Sequence, residues 1–185
     1  MKNIIRPSVI VLISLLVQPV WAVCNSAMHK SKPDIIYTDN NDGTISDLKT
    51  GLMWQKCSMG LSGNQCDQGS VTLLSWKNAL FESVELNTVG FANYNDWRLP
   101  SVAELRTLLE DACNKPAINN QFFPGTVYNN NHAYWSSSAY AGDPNGDPQN
   151  YVNQAQNAWV VSFDLGAESF DLKSKAMPVR LVRDQ

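Results

Sequence analysis

The stretch DWRLPSVAELRTLLE, residues 96–110, carries the densest local signal in the chain. Pro100 disfavours the helical region for Leu99, so the backbone reaches the proline extended. Ser101 is a natural helix N-cap, and Glu104, three residues on, completes a capping box. Val102, Leu105, Leu108 and Leu109 recur at helical spacing and form one apolar face. Local physics therefore specifies a strand-to-helix corner. Glu110 and Asp111, at the end of the run, are expected in solvent. Whether the corner belongs to a catalytic site or to a frame depends on what surrounds it.

Upstream, TLLSWKNALFESVELN (residues 72–87) reads as a second helix, with Trp76, Ala79, Leu80 and Val84 on one face and Gly90 helping to end it. Earlier still, residues 34–56 read as short strands. NNDGT has the Asn-Asp-Gly chemistry of a tight hairpin, because those residues tolerate positive φ, and LKTG supplies the next turn. Downstream, AYWSSS (residues 133–138) reads as a strand and residues 141–157 as a long polar loop. AWVVSFDLGAESFDL (residues 158–172) reads as a hairpin. Trp159, Val161, Phe163 and Leu165 alternate on one strand, and Phe170 and Leu172 return on its partner. PVRLVR (residues 178–183) reads as a terminal strand with Val179 and Leu181 on one side. Two early helices followed by strands indicate an α+β domain, with the helices packed on short antiparallel strands joined by long loops.

The N-terminus has the layout of an export signal: Lys2 and Arg6, the apolar run VIVLISLLV, Pro19, then the small-residue site at residues 20–22. Residues 1–22 are expected to be cleaved. An uncleaved anchor is the alternative, but residues 4–20 fall short of the roughly 20 that a spanning helix needs. Lipidation at Cys24 is disfavoured by the bulky Val23 before it. Removing 22 of 185 residues leaves 163, of which 23–33 form a polar lead-in and 34–185 one domain. Removing Lys2 and Arg6 leaves 12 basic against 17 acidic residues, a net charge of −5. That balance disfavours nucleic acid as a partner. No later run is long and apolar enough to span a membrane, so a secreted or periplasmic protein is expected.

Cys24, Cys57, Cys66 and Cys113 all lie in the exported part. An even count in that setting reads as two disulfides. Cys57 and Cys66 enclose SMGLSGNQ, which can bend back on itself, so these two are paired and Cys24 is left for Cys113. Zinc is disfavoured, because there is no Cys-x-x-Cys and His29 and His132 stand apart.

Candidate site residues are sparse. Asp143, Asn145 and Asp147 place three oxygen-bearing side chains at alternate positions, a spacing that suits calcium. The glycine placement and the lack of a closing glutamate separate this loop from an EF-hand, and a solvated loop is the plainer reading. Of the five tryptophans left after cleavage, Trp54, Trp76, Trp97 and Trp159 lie on apolar faces and suit a core. Trp135, Tyr140 and Tyr151 are the candidates for exposed ligand contacts. No Gly-x-Ser-x-Gly, phosphate-cradling loop or isolated carboxylate pair marks catalysis. Lys173, Lys175, Arg180 and Arg183 read as a solvated strand face or a local basic patch.

NDGTISDLKTGLMWQKC, DWRLPSVAEL, NKPAINNQFFPGT, YWSSS, AWVVSFDLG and PVRLVRD occur in an order that resembles the Lcl C-terminal domain family, formerly DUF1566, over about residues 37–184. The resemblance implies an extracellular adhesion module without known catalysis, since the family is named for a bacterial collagen-like adhesin whose C-terminal domain is implicated in attachment to sulfated glycans and host surfaces. RLPSVAEL and VRLVR are also similar to the formylglycine-generating sulfatase modifiers, which implies a C-type-lectin-like fold. In both families the Arg-Leu-Pro corner marks the fold. The modifiers need a reactive cysteine pair late in the chain, and here no cysteine follows Cys113, so no catalytic residue is carried over. The expected partner is a glycan or cell-surface ligand. The alternatives are an enzyme on the modifier scaffold or an envelope assembly partner.

Overall fold

The computed structural model describes residues 22–129, 132–142, 155–164 and 166–185. Residues 1–21 of the expected leader lie outside this set, as do Leu165, Asp143, Asn145, Asp147 and Tyr151. The architecture is α+β. Strands β1 (Val23–Cys24), β2 (Tyr37–Asp39), β3 (Thr44–Asp47), β4 (Leu52–Gln55), β5 (Leu61–Ser62) and β6 (Gln68–Gly69) precede helices α1 (Trp76–Val89) and α2 (Val102–Arg106). Then follow β7 (Cys113–Asn114), β8 (Tyr134–Ala139), β9 (Asn157–Ser162), β10 (Ala167–Leu172) and β11 (Val182–Asp184). Two antiparallel sheets dominate, ordered β11-β4-β3-β2 and β10-β9-β8, with the small ribbons β1-β7 and β5-β6 beside them.

The turns form where their chemistry places them. Asn41 and Gly43 take φ of 59° and 92° between β2 and β3, and Gly51 takes 72° before β4. The Asp42 carboxylate accepts from the Thr44 amide and hydroxyl, at 3.0 and 2.6 Å, closing the first turn. Both expected disulfides are present, Cys24–Cys113 and Cys57–Cys66. In the chain-entropy account, closing 89 residues stabilises by roughly 4 to 5 kcal/mol and closing 9 by roughly half that.

Two cores lie on opposite faces of the sheets. One holds Ile45, Trp54, Leu105, Leu108, Phe123, Tyr134, Val161 and Val182; the other holds Met53, Trp97, Leu99, Trp135, Val160, Val179 and Leu181. Successive strand residues point to opposite faces, so Tyr134 enters one core and Trp135 the other. The same holds for Val160 and Val161. This explains a difference from the sequence reading. β9 is a central strand buried on both faces, whereas β10, its partner in the hairpin, is an edge strand. Val161 and Phe163 are buried as expected, but Phe170 and Leu172 are 48% and 43% exposed.

Ser75 caps α1, and Gly90 ends it with φ of 76°. The helix buries Ala79 and Ser83, with Trp76 and Leu80 partly covered, whereas Val84 is exposed. The apolar face is therefore narrower than its spacing suggests, because only one side of α1 meets the second core. The capping box at Ser101 and Glu104 forms in full. α2 nonetheless stops at Arg106 rather than reaching residue 110. The Leu108 and Leu109 amides donate to carbonyls three residues back, and Leu109 pairs with Ile118 as an antiparallel bridge. Leu105 and Leu108 still fill the first core.

This pairing removes Glu110 from solvent. Its carboxylate is 1% exposed and accepts from the amides of Ser31, Lys32 and Ala112 and from the Ser31 hydroxyl. Burial alone raises its pKa, and these donors hold it below the ordinary value. Asp111 is exposed as expected.

The corner is closed by a forked ion pair. Arg98 donates to both Glu104 oxygens at 2.8 and 2.7 Å and to Asp184 of β11 at 2.9 Å. Glu104 also accepts from the Ser101 amide and hydroxyl. Behind the corner, Ser137 donates to the Pro100 carbonyl and the Ser138 hydroxyl accepts from the Val102 amide. Ser136 donates to the Trp159 carbonyl. The serines of WSSS thus fasten the corner to the three-stranded sheet.

The Arg98 guanidinium, opposed by burial, pulls the Glu104 carboxyl from an ordinary 4.5 down to about 2. A depressed folded-state pKa contributes stability that is complete above about pH 4.5 and lost as pH falls toward 2. Urea unfolding measured across that range should show stability dropping in the wild type and a shallower drop in Glu104→Gln. Ser101→Ala should cost about 1 kcal/mol at neutral pH. Identical pH profiles for wild type and Glu104→Gln contradict the assignment.

Candidate recognition surface

The three aromatic candidates separate sharply. Trp135 is fully buried, and its indole N–H donates to the Leu74 carbonyl at 2.8 Å. Its polar neighbours in sequence suggested exposure, but β8 is covered on both faces. Tyr151 lies outside the described residues, with Asp143, Asn145 and Asp147. Tyr140 is half-buried at the end of β8 and stacks on Phe170, with ring centroids 4.1 Å apart and planes 14° from parallel. Trp159 stands edge-on to both rings, at 5.3 Å from Tyr140 and 6.2 Å from Phe170.

The hairpin register explains this cluster. Trp159 pairs directly with Phe170 across β9 and β10, and the Tyr140 amide donates to the Asn157 carbonyl, drawing its ring over the same edge. Three rings from three strand positions make a partly exposed, pre-assembled aromatic surface. Phe170 was overlooked in the sequence because its alternation reads equally well as core. The signal that distinguishes it is position on an edge strand.

The late basic residues, read as a solvated strand face or a local patch, have separate fates. Lys175 pairs with Asp171 at 2.7 Å, and Arg183 with Asp96 at 2.7 Å while lying over the Tyr94 ring. Lys173 lies over the Trp76 ring at 4.5 Å and donates to the Ala155 carbonyl. Arg180 is fully buried. It donates to the carbonyls of Gln55 and Lys56, to the Thr126 hydroxyl at 2.8 Å and to the Ser58 hydroxyl at 3.5 Å. Its guanidinium lies 5.0 Å from the Phe123 ring centre. Ser58 in turn bonds the Tyr134 hydroxyl, which accepts from the Val127 amide. Burial pushes the Arg180 pKa down, with Tyr134 opposing. Among the described residues, no carboxylate pairs with it.

Arg180 backs a second feature. A groove of about 460 Å³ runs between the β2–β3 turn, the Cys57–Cys66 loop and the second half of α1. Gln55, Ser58, Met59, Leu61, Leu86 and Phe91 line it, with the carboxylates of Asp42 and Glu82 at its border. Gly43 lies under Phe91, where a Cβ would come within 3.0 Å of the ring. Among the described residues, no group of three or more His, Cys, Asp or Glu side chains is placed to hold a metal ion. No helix among them is long and apolar enough to cross a membrane.

The model of the Lcl C-terminal domain family matches residues 43–183. The chain belongs to the Lcl C-terminal domain family. No curated protein matches it in sequence. The blocks that carried the Lcl resemblance occupy frame positions: the Arg98–Glu104 corner, the β8 serines, the β9 core strand and the Arg180 anchor. Two of the blocks also reach the surface features: Trp159 belongs to the ring cluster, and Asp42, Gly43 and Gln55 line the groove.

Replacing Arg180 tests the anchor under the groove. Arg180→Met should leave the Gln55 and Lys56 carbonyls and the Ser58 and Thr126 hydroxyls short of a donor, at a cost of roughly 3 kcal/mol or more in chemical denaturation. Arg180→Lys should recover only part, because one ammonium does not reproduce a planar fork. A methionine variant as stable as the wild type refutes the anchoring role.

Proposed function

We propose that this protein is an exported, non-catalytic recognition module of C-type-lectin-like architecture that binds carbohydrate through the aromatic surface of Tyr140, Trp159 and Phe170. The observation that carries the reading is the stacked, partly exposed ring cluster on an edge strand of a disulfide-tied frame. Aromatic rings held in place offer an apolar face to the C–H side of a pyranose with little ordering cost. The mixed architecture, with short antiparallel sheets and two helices packed against them, supports the lectin-like assignment. Two disulfides support export into an oxidising compartment, whether periplasm or medium.

The net charge of −5 after leader removal favours neutral sugars over sulfated ones, since polyanions are repelled at long range. The non-catalytic reading rests on the cysteines: all four are bonded in pairs, so the late reactive pair of the sulfatase modifiers has no counterpart. Screening the exported protein on a glycan array, with and without calcium, should give neutral-glycan ligands. Phe170→Ala should weaken the best of them roughly tenfold while leaving the melting temperature within a few degrees of wild type. An array without ligands, or Phe170→Ala binding at full strength, overturns the proposal.

A further inference from the structure

The groove beside the Cys57–Cys66 loop has a chemistry of its own. Its floor is apolar, from Met59, Leu61, Leu86 and the Phe91 ring. Two acidic residues on separate elements line it, Asp42 on the β2–β3 turn and Glu82 on α1. No lysine, arginine or histidine lines it. Asp42 is partly engaged by Thr44, through one oxygen. Glu82 is half-buried, and its carboxylate forms no hydrogen bond or ion pair with any described residue. Asp39 pairs with Lys56, Glu104 with Arg98, and Glu110 accepts from backbone donors. Glu82 has no such partner, and it lines the groove together with Leu86 and Phe91.

We propose that this groove is a binding site for a free aliphatic diamine. The methylene chain lies along Met59, Leu61, Leu86 and Phe91, and the ammonium groups meet Glu82 and Asp42. Burying methylenes contributes about 0.8 kcal/mol each, and an ammonium beside a ring face adds a cation–π term. A mainly apolar lining with two acidic residues on different elements and no basic residue matches a molecule charged at both ends and apolar in the middle. Gln55 and Ser58, on the groove wall, are held by Arg180, so the wall is set before a ligand arrives.

The test titrates the isotope-labelled, disulfide-intact protein with 1,5-diaminopentane and follows amide shifts by NMR. Saturable shifts confined to Gly43, Met59, Leu61, Glu82 and Phe91 are expected, with 1-pentanol giving none at the same sites. Glu82→Gln should weaken binding roughly tenfold, the effect of losing one charge-assisted contact, and should leave the fold intact because Glu82 holds no other element. Shifts spread over the whole acidic surface, equal binding of 1-pentanol, or an unchanged Glu82→Gln titration each overturn the site. Tighter binding of N-acetyl-lysine methylamide than of the diamine also overturns it, by assigning the groove to a peptide. The aromatic surface on β10 is separate, so failure here leaves the glycan reading standing.

Discussion

A guanidinium buried without a carboxylate is the constraint around which the rest of this molecule is arranged. Transferring a charge out of water is expensive, and Arg180 recovers that cost only if several acceptors surround it. They come from distant parts of the chain: the end of β4, the residue after Cys57, and Thr126, with the Phe123 ring packed against the cation. None can move far without exposing the charge. On either side of Arg180, Val179 and Leu181 enter one core and Val182 enters the other. The C-terminal segment therefore holds both cores in register, which neither sheet achieves alone.

The Arg98–Glu104 corner performs the matching task at the centre of the chain. Arg98 reaches forward to its own helix and across to Asp184, so the corner and the terminal strand share one electrostatic joint. The isolated bridge between Arg98 and Val182 adds a backbone link at the same place. Asp96 and Arg183 form a second pair two residues away on one side and one on the other. Such pairs are worth little individually when exposed, but here they act where backbone bonds already fix the geometry. The motif that opens as a possible active site is thus a joint, and its charges are consumed in closing it.

How much was legible in the sequence follows from the range of each interaction. The capping box, the Asn-Asp-Gly turn, the β9–β10 hairpin and the small disulfide loop are decided within a few residues, and the sequence names them directly. Glu110 looks like a solvated helix end until the Ser31–Lys32 segment, 78 and 79 residues away, folds over it. Trp135 looks exposed between Tyr134 and Ser136 because alternation reports which face a side chain takes, not whether both faces are covered. Phe170 fails in the opposite sense, since edge and centre strands carry the same period. Arg180 was misplaced because no local pattern announces acceptors that lie 54 to 125 positions away. Asp42 is legible as a turn residue, but nothing local brings it to the same groove as Glu82, because the turn and the helix meet only in the folded chain.

The two surface features differ in chemistry. The ring cluster on β10 offers area and shape without charge, while the groove offers two carboxylates over an apolar floor. The chain's net charge of −3 repels polyanions, so long-range steering acts in favour of cations and is indifferent to neutral sugars. The family frame tolerates this because its own charges are paired internally: Arg98, Arg183, Lys56 and Lys175 are all engaged. The ring cluster sits on an edge strand and the groove beside a small loop, so substitutions at Phe170 or Glu82 leave the residues of both cores in place.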